Sequence, residues 1–137
     1  NTNALNPAIV NNLVQQMLGG IPGVHGNTLH CRVRYFDPES RRSGLPEGVG
    51  SLVERLGSDS VTVQLVNLDP VNDRRLVIQG GAYAEHQFVN VSSGGEPKPV
   101  DRSYLTIRLA AGSGARLEIG MNRYANQPTM IFPWDRE

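Results

Sequence analysis

Residues 104–121 carry two runs of alternating apolar and polar side chains joined by a Gly-Ser-Gly segment, and no other part of the chain constrains the fold as strongly. A period of two places one set of side chains on one side of an extended strand and the rest on the other. The apolar sides of the two runs consist of Leu105, Ile107, Leu109, Leu117, Ile119 and Met121. We therefore predict a β-hairpin with one dry face and one wet face. A sheet that is dry on one side needs a second layer to cover it, so this hairpin predicts a sandwich.

Five other segments complete the predicted sheets. They are residues 29–36, 61–65, 74–79, 83–91 and 124–134. Gly80-Gly81 is expected to kink or bulge the sheet, because glycine tolerates the backbone angles that a bulge needs. The last segment contains two prolines, which predicts an edge strand or a strapping tail. With the hairpin, these segments make about seven strands with turns roughly every 8 to 12 residues, the spacing of an all-β, antiparallel β-sandwich.

The first residues predict a helix that precedes the sandwich. Asn6 is a suitable N-cap, Pro7 fits the first helical position, and Gly19-Gly20 ends the apolar repeat. The polar face of this helix carries uncharged amides, so the helix either caps its own sandwich or docks on a neighbouring domain. We accordingly divide the chain into an N-terminal helix and connector at residues 1–27 and a β-sandwich domain at residues 28–137.

Residues 39–58 form an excursion rich in glycine and proline between two predicted strands. Leu52, Val53 and Leu56 within it could form one or two turns of a short second helix. We expect the rest of the excursion to be a loop, because glycines and prolines at short intervals interrupt regular structure.

Length, charge and cysteine content limit the classes of protein that this chain can represent. Its 137 residues are enough for one domain with a core, and its single Cys31 cannot form an internal disulfide. Thirteen basic and thirteen acidic side chains cancel, which argues against nucleic acid as a partner. No apolar stretch approaches the roughly 18 residues of a spanning helix, so we expect no membrane insertion. The start at Asn1 suggests a piece of a longer polypeptide with any targeting signal upstream, and we favour a secreted or periplasmic location over a cytoplasmic one.

An oxygen-rich turn is the place where a metal ion could bind. Its candidate calcium ligands are Asn67, Asp69, Asn72 and Asp73. The turn lacks the spacing and the closing glutamate of an EF-hand loop, so we favour an Asx turn in which these side chains bond their own backbone. We predict neither a bound metal nor a cofactor, because the sequence also lacks phosphate-binding and hydrolase motifs.

Five residues are candidates for ligand binding. Glu85-His86 resembles an acid/base couple, since a carboxylate can tune an imidazole near neutral pH, but adjacent strand residues diverge unless a bulge turns both inward. Tyr83, Tyr124 and Trp134 could stack on a sugar ring. An aromatic residue near the tail more often plugs the end of a sandwich, and a core or plug role is therefore the alternative.

Three stretches together resemble the C-terminal β-sandwich domains of large bacterial multidomain proteins. They are SVTVQLVNLDP at 60–70, GGAYAEH at 80–86 and LAAGSGARL at 109–117. Such domains often follow an α/α-toroid catalytic domain of the glycosidase or terpenoid-lyase kind. The resemblance implies a fold and a supporting role beside another domain, and it supplies no catalytic residue.

The leading hypothesis is therefore a non-catalytic accessory domain that packs against or supports a neighbouring domain. A carbohydrate-binding module that uses the three aromatic residues is the first alternative, and a small β-enzyme centred on Glu85 and His86 is the second. The assignment of faces predicts that Ile107→Asp, which places an unpaired charge on the dry face, unfolds the domain.

Overall fold

Nine strands and one short helix make up the part of the chain that the computed structural model describes, residues 32–136. Alternating apolar residues form the longer strands because a sheet with one buried face requires that period. In chain order the strands are β1 (Val33–Asp37), β2 (Arg42–Ser43), β3 (Val49–Leu56), β4 (Ser60–Asn67), β5 (Arg74–Gly80), β6 (Gln87–Ser92), β7 (Lys98–Arg102), β8 (Tyr104–Leu109) and β9 (Gly114–Asn122). A 3-10 helix, Pro133–Asp135, lies near the end of the chain.

The strands form two antiparallel sheets, as the sequence pattern predicts. The four-stranded sheet has the order β2-β1-β5-β8, and the five-stranded sheet has the order β3-β4-β9-β6-β7. One hydrophobic cluster joins buried side chains of both sheets. Its most deeply buried members are Val33, Tyr35, Leu76 and Ile78 from the four-stranded sheet and Val61, Val63, Leu65, Phe88 and Ile119 from the five-stranded sheet. The all-β, sandwich-like architecture is therefore confirmed.

The predicted hairpin does not form, although the predicted buried faces of its two strands are correct. Strand β8 pairs with β5 in the four-stranded sheet, whereas β9 pairs with β4 and β6 in the five-stranded sheet. Leu117, Ile119 and Met121 are buried as expected. The connection at residues 110–113 therefore crosses from one sheet to the other instead of turning within a sheet. Four residues are enough for this crossing, because packed sheets lie about 10 Å apart and an extended residue spans about 3.3 Å.

The expected short second helix is also wrong, because its residues belong to β3. This strand pairs with β4 along its length, from Val49 opposite Asn67 to Leu56 opposite Val61. The register shifts between Val53 and Arg55. The spacing of the apolar residues fits a helical turn, but pairing with β4 satisfies the backbone of this segment as a strand. The predicted N-terminal helix and the boundary between 1–27 and 28–137 lie outside the described residues.

The glycine pair ends a strand instead of bulging it. Gly81 has a φ of 87°, and residues 81–86 form a turn, so β6 starts at Gln87 rather than at the predicted Tyr83. A side chain at Gly80 would overlap the carbonyl of His86, which folds back closely on the strand end. Close approach and positive φ together explain why glycine occupies both positions.

The C-terminal residues form a strapping tail rather than an edge strand. Two backbone hydrogen bonds tie this tail to the 81–86 turn: Asn126 N donates to the Glu85 carbonyl at 3.1 Å, and Thr129 N donates to the Tyr83 carbonyl at 2.7 Å. In the part of the chain described, no helix has the length and apolar character needed to cross a membrane.

Candidate functional site

The strapping tail brings three of the five sequence-predicted ligand residues together at one end of the sandwich. We call Glu85, His86, Tyr124 and Asn126 the strap site. His86 is fully buried, and its Nδ1 accepts a hydrogen bond of 3.0 Å from the backbone N–H of Tyr124. The two rings meet edge to face with centroids 4.7 Å apart. Because Nδ1 is an acceptor, the imidazole is neutral and carries its proton on Nε2.

Glu85 closes its own turn. Its carboxylate is buried, and Oε1 accepts a hydrogen bond of 2.8 Å from the Tyr83 backbone N–H. The same carboxylate lies so close to Gly81 that an added Cβ there would overlap it. Glu85 and His86 therefore bond to different groups, the first within the turn and the second in the tail. The enzyme hypothesis stays a prediction, and these two contacts give it no support.

Tyr124 is the most exposed of the predicted aromatic residues. Its side chain is 56 % exposed, and its φ of 58° lies in the left-handed region that residues other than glycine seldom adopt. The guanidinium of Arg123 lies 5.3 Å from the ring centroid. Tyr124 thus contacts His86 and Arg123, and more than half of its surface remains exposed.

Trp134 lies in a separate aromatic cluster. Its ring stacks on Phe132 with centroids 4.9 Å apart and meets Phe36 edge to face at 6.0 Å. Arg41 lies 5.4 Å from the Trp134 centroid. Among residues 32–136 no ring contact joins Trp134 to Tyr124, and Tyr83 is half-buried. Ring contacts therefore link Tyr124 to His86 and Trp134 to Phe36 and Phe132, and the sugar-stacking hypothesis stays a prediction.

The candidate calcium turn is built by hydrogen bonds within the protein. Asn67 is fully buried, and its Nδ2 donates to the carbonyls of Asn72 at 2.8 Å, Leu109 at 3.2 Å and Ala110 at 3.3 Å. Its Oδ1 accepts from the Asp69 backbone N–H at 3.0 Å. Asn67 thus joins the β4–β5 connection to the β8–β9 connection.

The carboxylates of this turn are occupied as well. Asp69 Oδ1 accepts from the backbone N–H groups of Val71 and Asn72, and Oδ2 accepts from Arg74 at 2.8 Å. These bonds, led by the one from Val71, lower the pKa of Asp69 to about 2. Asp73 pairs with Arg108 and accepts from the Ala111 N–H.

The favoured Asx turn is therefore present. In the described part of the chain, no group of three His, Cys, Asp or Glu side chains is arranged to hold a metal ion. The calcium hypothesis stays a prediction, and the side-chain oxygens of Asn67, Asp69 and Asp73 already accept hydrogen bonds from protein donors.

Sequence reasoning missed a polar cleft beside the Asx turn, at the end of β5 that lies away from the strap site. It has a volume of about 420 Å³ and is lined by Asp37, Glu39, Ser40, Arg42, Pro46, Glu47, Arg74 and Arg75. Buried Asp37 closes the β1–β2 turn by accepting from the Glu39 and Ser40 N–H groups. Arg42 lies 3.8 Å from Asp37, and Arg75 lies 3.6 Å from Glu39. The adjacent arginines at 74–75 were the available sequence signal, but only folding places them beside these carboxylates.

Comparison of the chain with protein family models, curated proteins and solved structures gives no match. The fold and the contacts described above are therefore the basis for inferring a function. A sandwich-like fold hosts many unrelated activities, so the inference depends on what individual surfaces can do.

Proposed function

We propose that this chain is a non-catalytic accessory domain that packs against a neighbouring domain of the same polypeptide. The observation that carries the proposal is an apolar strip on the tail, formed by Met130, Ile131 and Phe132. These side chains are 86 %, 55 % and 36 % exposed. Contiguous exposed apolar residues, unlike single ones, are typical of an interaction surface.

Aromatic packing supports Phe132, the last residue of the strip. Phe132 stacks on Trp134 and meets Phe36 edge to face at 5.8 Å. Trp134 in turn packs against the buried cluster of Phe36, Val77 and Tyr104 on the outer face of the four-stranded sheet. Phe132 is thus held in place before binding, which lowers the entropy cost of docking a folded partner on it.

The strap site supports a non-catalytic role. Glu85 and His86 are buried, and each holds a backbone N–H group of the protein. A general acid or base must reach the proton that it transfers, whereas these two groups are used to fasten the turn and the tail.

A binding experiment tests the proposed docking. The remainder of the parent polypeptide is expressed separately and titrated with this chain by calorimetry. We expect the double variant Met130→Ser, Ile131→Ser to bind at least about tenfold more weakly, because a few apolar anchors carry most of an interface's free energy. The matched control is Val71→Ser, which changes a residue that is 78 % exposed outside the tail.

Two results would contradict this proposal. Unchanged binding by the double variant would show that the tail strip is not the docking surface. Turnover of a glycoside or ester substrate by the purified chain, lost in a folded His86→Ala variant, would show that the domain is catalytic.

A carbohydrate-binding module is the second candidate, because Tyr124 presents an exposed ring. A flat aromatic face covers the apolar face of a pyranose. Glycan-array binding should then disappear in Tyr124→Ala and survive in Tyr124→Phe, which keeps the ring. Equal binding by the alanine variant, or no glycan bound by the unmodified chain, would exclude Tyr124 as a sugar platform.

A further inference from the structure

The two sheets have four edge strands, and three of them carry features that prevent pairing with another chain. Strand β2 has only two residues, one of them Arg42. Strand β3 has a register shift between Val53 and Arg55. Strand β7 begins with exposed Lys98 and Pro99. Short length, irregular register, lysine and proline are the devices by which proteins block open sheet edges.

The fourth edge, β8, carries none of these devices. Its residues Tyr104–Leu109 pair with β5 in unbroken register, and the strand contains no proline, glycine or lysine. Among residues 32–136, no strand pairs with the other side of β8. Leu105 and Ile107 face the core yet remain half-buried, as expected for core-facing residues beside an open edge. The edge therefore offers an apolar pairing surface as well as backbone groups.

We propose that a second copy of this chain pairs with β8, antiparallel, around a two-fold axis at Thr106. Directly opposed residues in an antiparallel pair lie on the same face of the sheet. In this register Thr106 faces Thr106 of the second copy, Leu105 faces Ile107, and Tyr104 faces Arg108. The Thr106 pair is β-branched and the Leu105–Ile107 pair is apolar, and both kinds of pair stabilise neighbouring strands. Tyr104 and Arg108 already contact Arg136 and Asp73 of their own chain, so they add no new pair.

In other symmetric registers, the opposed side chains of the two β8 strands are less complementary. Centring the axis on Ile107 would bring Thr106 against Arg108, so the β-branched threonine pair at the axis would be lost. Centring it on Arg108 would oppose two guanidinium groups, which destabilises a strand pair. The chain as a whole has equal numbers of acidic and basic side chains, so net charge does not keep two copies apart.

The resulting dimer has one continuous sheet of eight strands, four from each copy. Six-residue strands bury little surface compared with stable dimer interfaces, so we expect a weak dimer with a Kd between about 1 µM and about 1 mM. This association uses the backbone edge of β8, whereas the tail strip offers side chains of another segment, and the two meet only where Trp134 beneath Phe132 packs against Tyr104.

Sedimentation of the 137-residue chain tests the proposal with two charge variants. Thr106→Lys and Thr106→Asp each place like charges opposite one another at the two-fold axis. We expect each to raise the Kd about fivefold, the effect of one opposed like-charge pair, while a mixture of the two variants forms a heterodimer at least as tight as the unmodified dimer. The matched control is Gln64→Lys, which adds a charge to an exposed position of central strand β4 and should leave the Kd unchanged.

Hydrogen exchange gives a second measurement that needs no variant. Protection of β8 amides should increase with protein concentration over the range in which the dimer forms. A chain that stays monomeric up to about 1 mM overturns the proposal. So does a dimer that both folded charge variants leave unchanged, or concentration-independent protection of β8, which would show that another segment of the same chain covers the edge.

Discussion

Asn67→Leu is expected to lower the free energy of unfolding by about 3 kcal/mol, because it removes one side chain that holds two sheet connections together. Leucine has a similar volume but cannot donate to the carbonyls of Asn72, Leu109 and Ala110, which Asn67 binds in the folded protein. Each carbonyl left buried without a donor costs free energy that an exposed carbonyl would recover from water.

The two connections that Asn67 joins both cross between the sheets. Asn67 N donates to the Ser113 carbonyl at 2.7 Å, and Gly112 N donates to the Asp69 carbonyl at 2.9 Å. Loss of the Asn67 side chain therefore loosens both crossings at one end of the sandwich. The expected result is a lower midpoint of urea denaturation with an unchanged slope.

Asn72→Ala is the matched control for this experiment. Asn72 lies in the same turn, but its side chain is exposed and donates only to Asp69, at 3.1 Å. We expect it to cost less than about 1 kcal/mol. Equal effects of the two substitutions would show that the turn, and not the buried amide of Asn67, determines stability.

Ile119→Asp is expected to abolish folding. Ile119 is fully buried on β9, which lies between β4 and β6 in the five-stranded sheet. An aspartate there must either remain charged without a partner or become protonated, and both cost several kcal/mol, about the entire stability of a small domain. Circular dichroism and thermal denaturation should show no cooperative transition.

Ile107→Asp is the natural comparison, since sequence reasoning alone chose that position. Ile107 is half-buried on edge strand β8, where an inward charge can reach solvent at a smaller cost. We now expect the larger loss at Ile119, with Ile107→Asp less stable than the unmodified protein but more stable than Ile119→Asp. The reverse order would contradict the sheet assignment of the two strands.

Residue types alone were enough to predict part of the candidate site. Glu85 and His86 were recognisable as possible acid/base groups, and the Asx-rich composition of 67–73 correctly predicted its turn. One hydrogen-bond donor to His86 is the backbone N–H of Tyr124, which is 38 residues away in the sequence. No local pattern predicts such a contact, because it depends on where the tail crosses the end of the sandwich.

The sequence by itself determined which side chains of β8 and β9 point to the core. Alternation is a property of the extended backbone, so the buried faces at Leu117, Ile119 and Met121 follow from the order of residues alone. Only the tertiary structure decided which strands are neighbours. A short connection can turn within a sheet or cross between sheets, and the same 104–121 pattern satisfies both. Bonds from Asn67 and its neighbours to residues 110–113 stabilise the crossing, and they form only when distant parts of the chain meet.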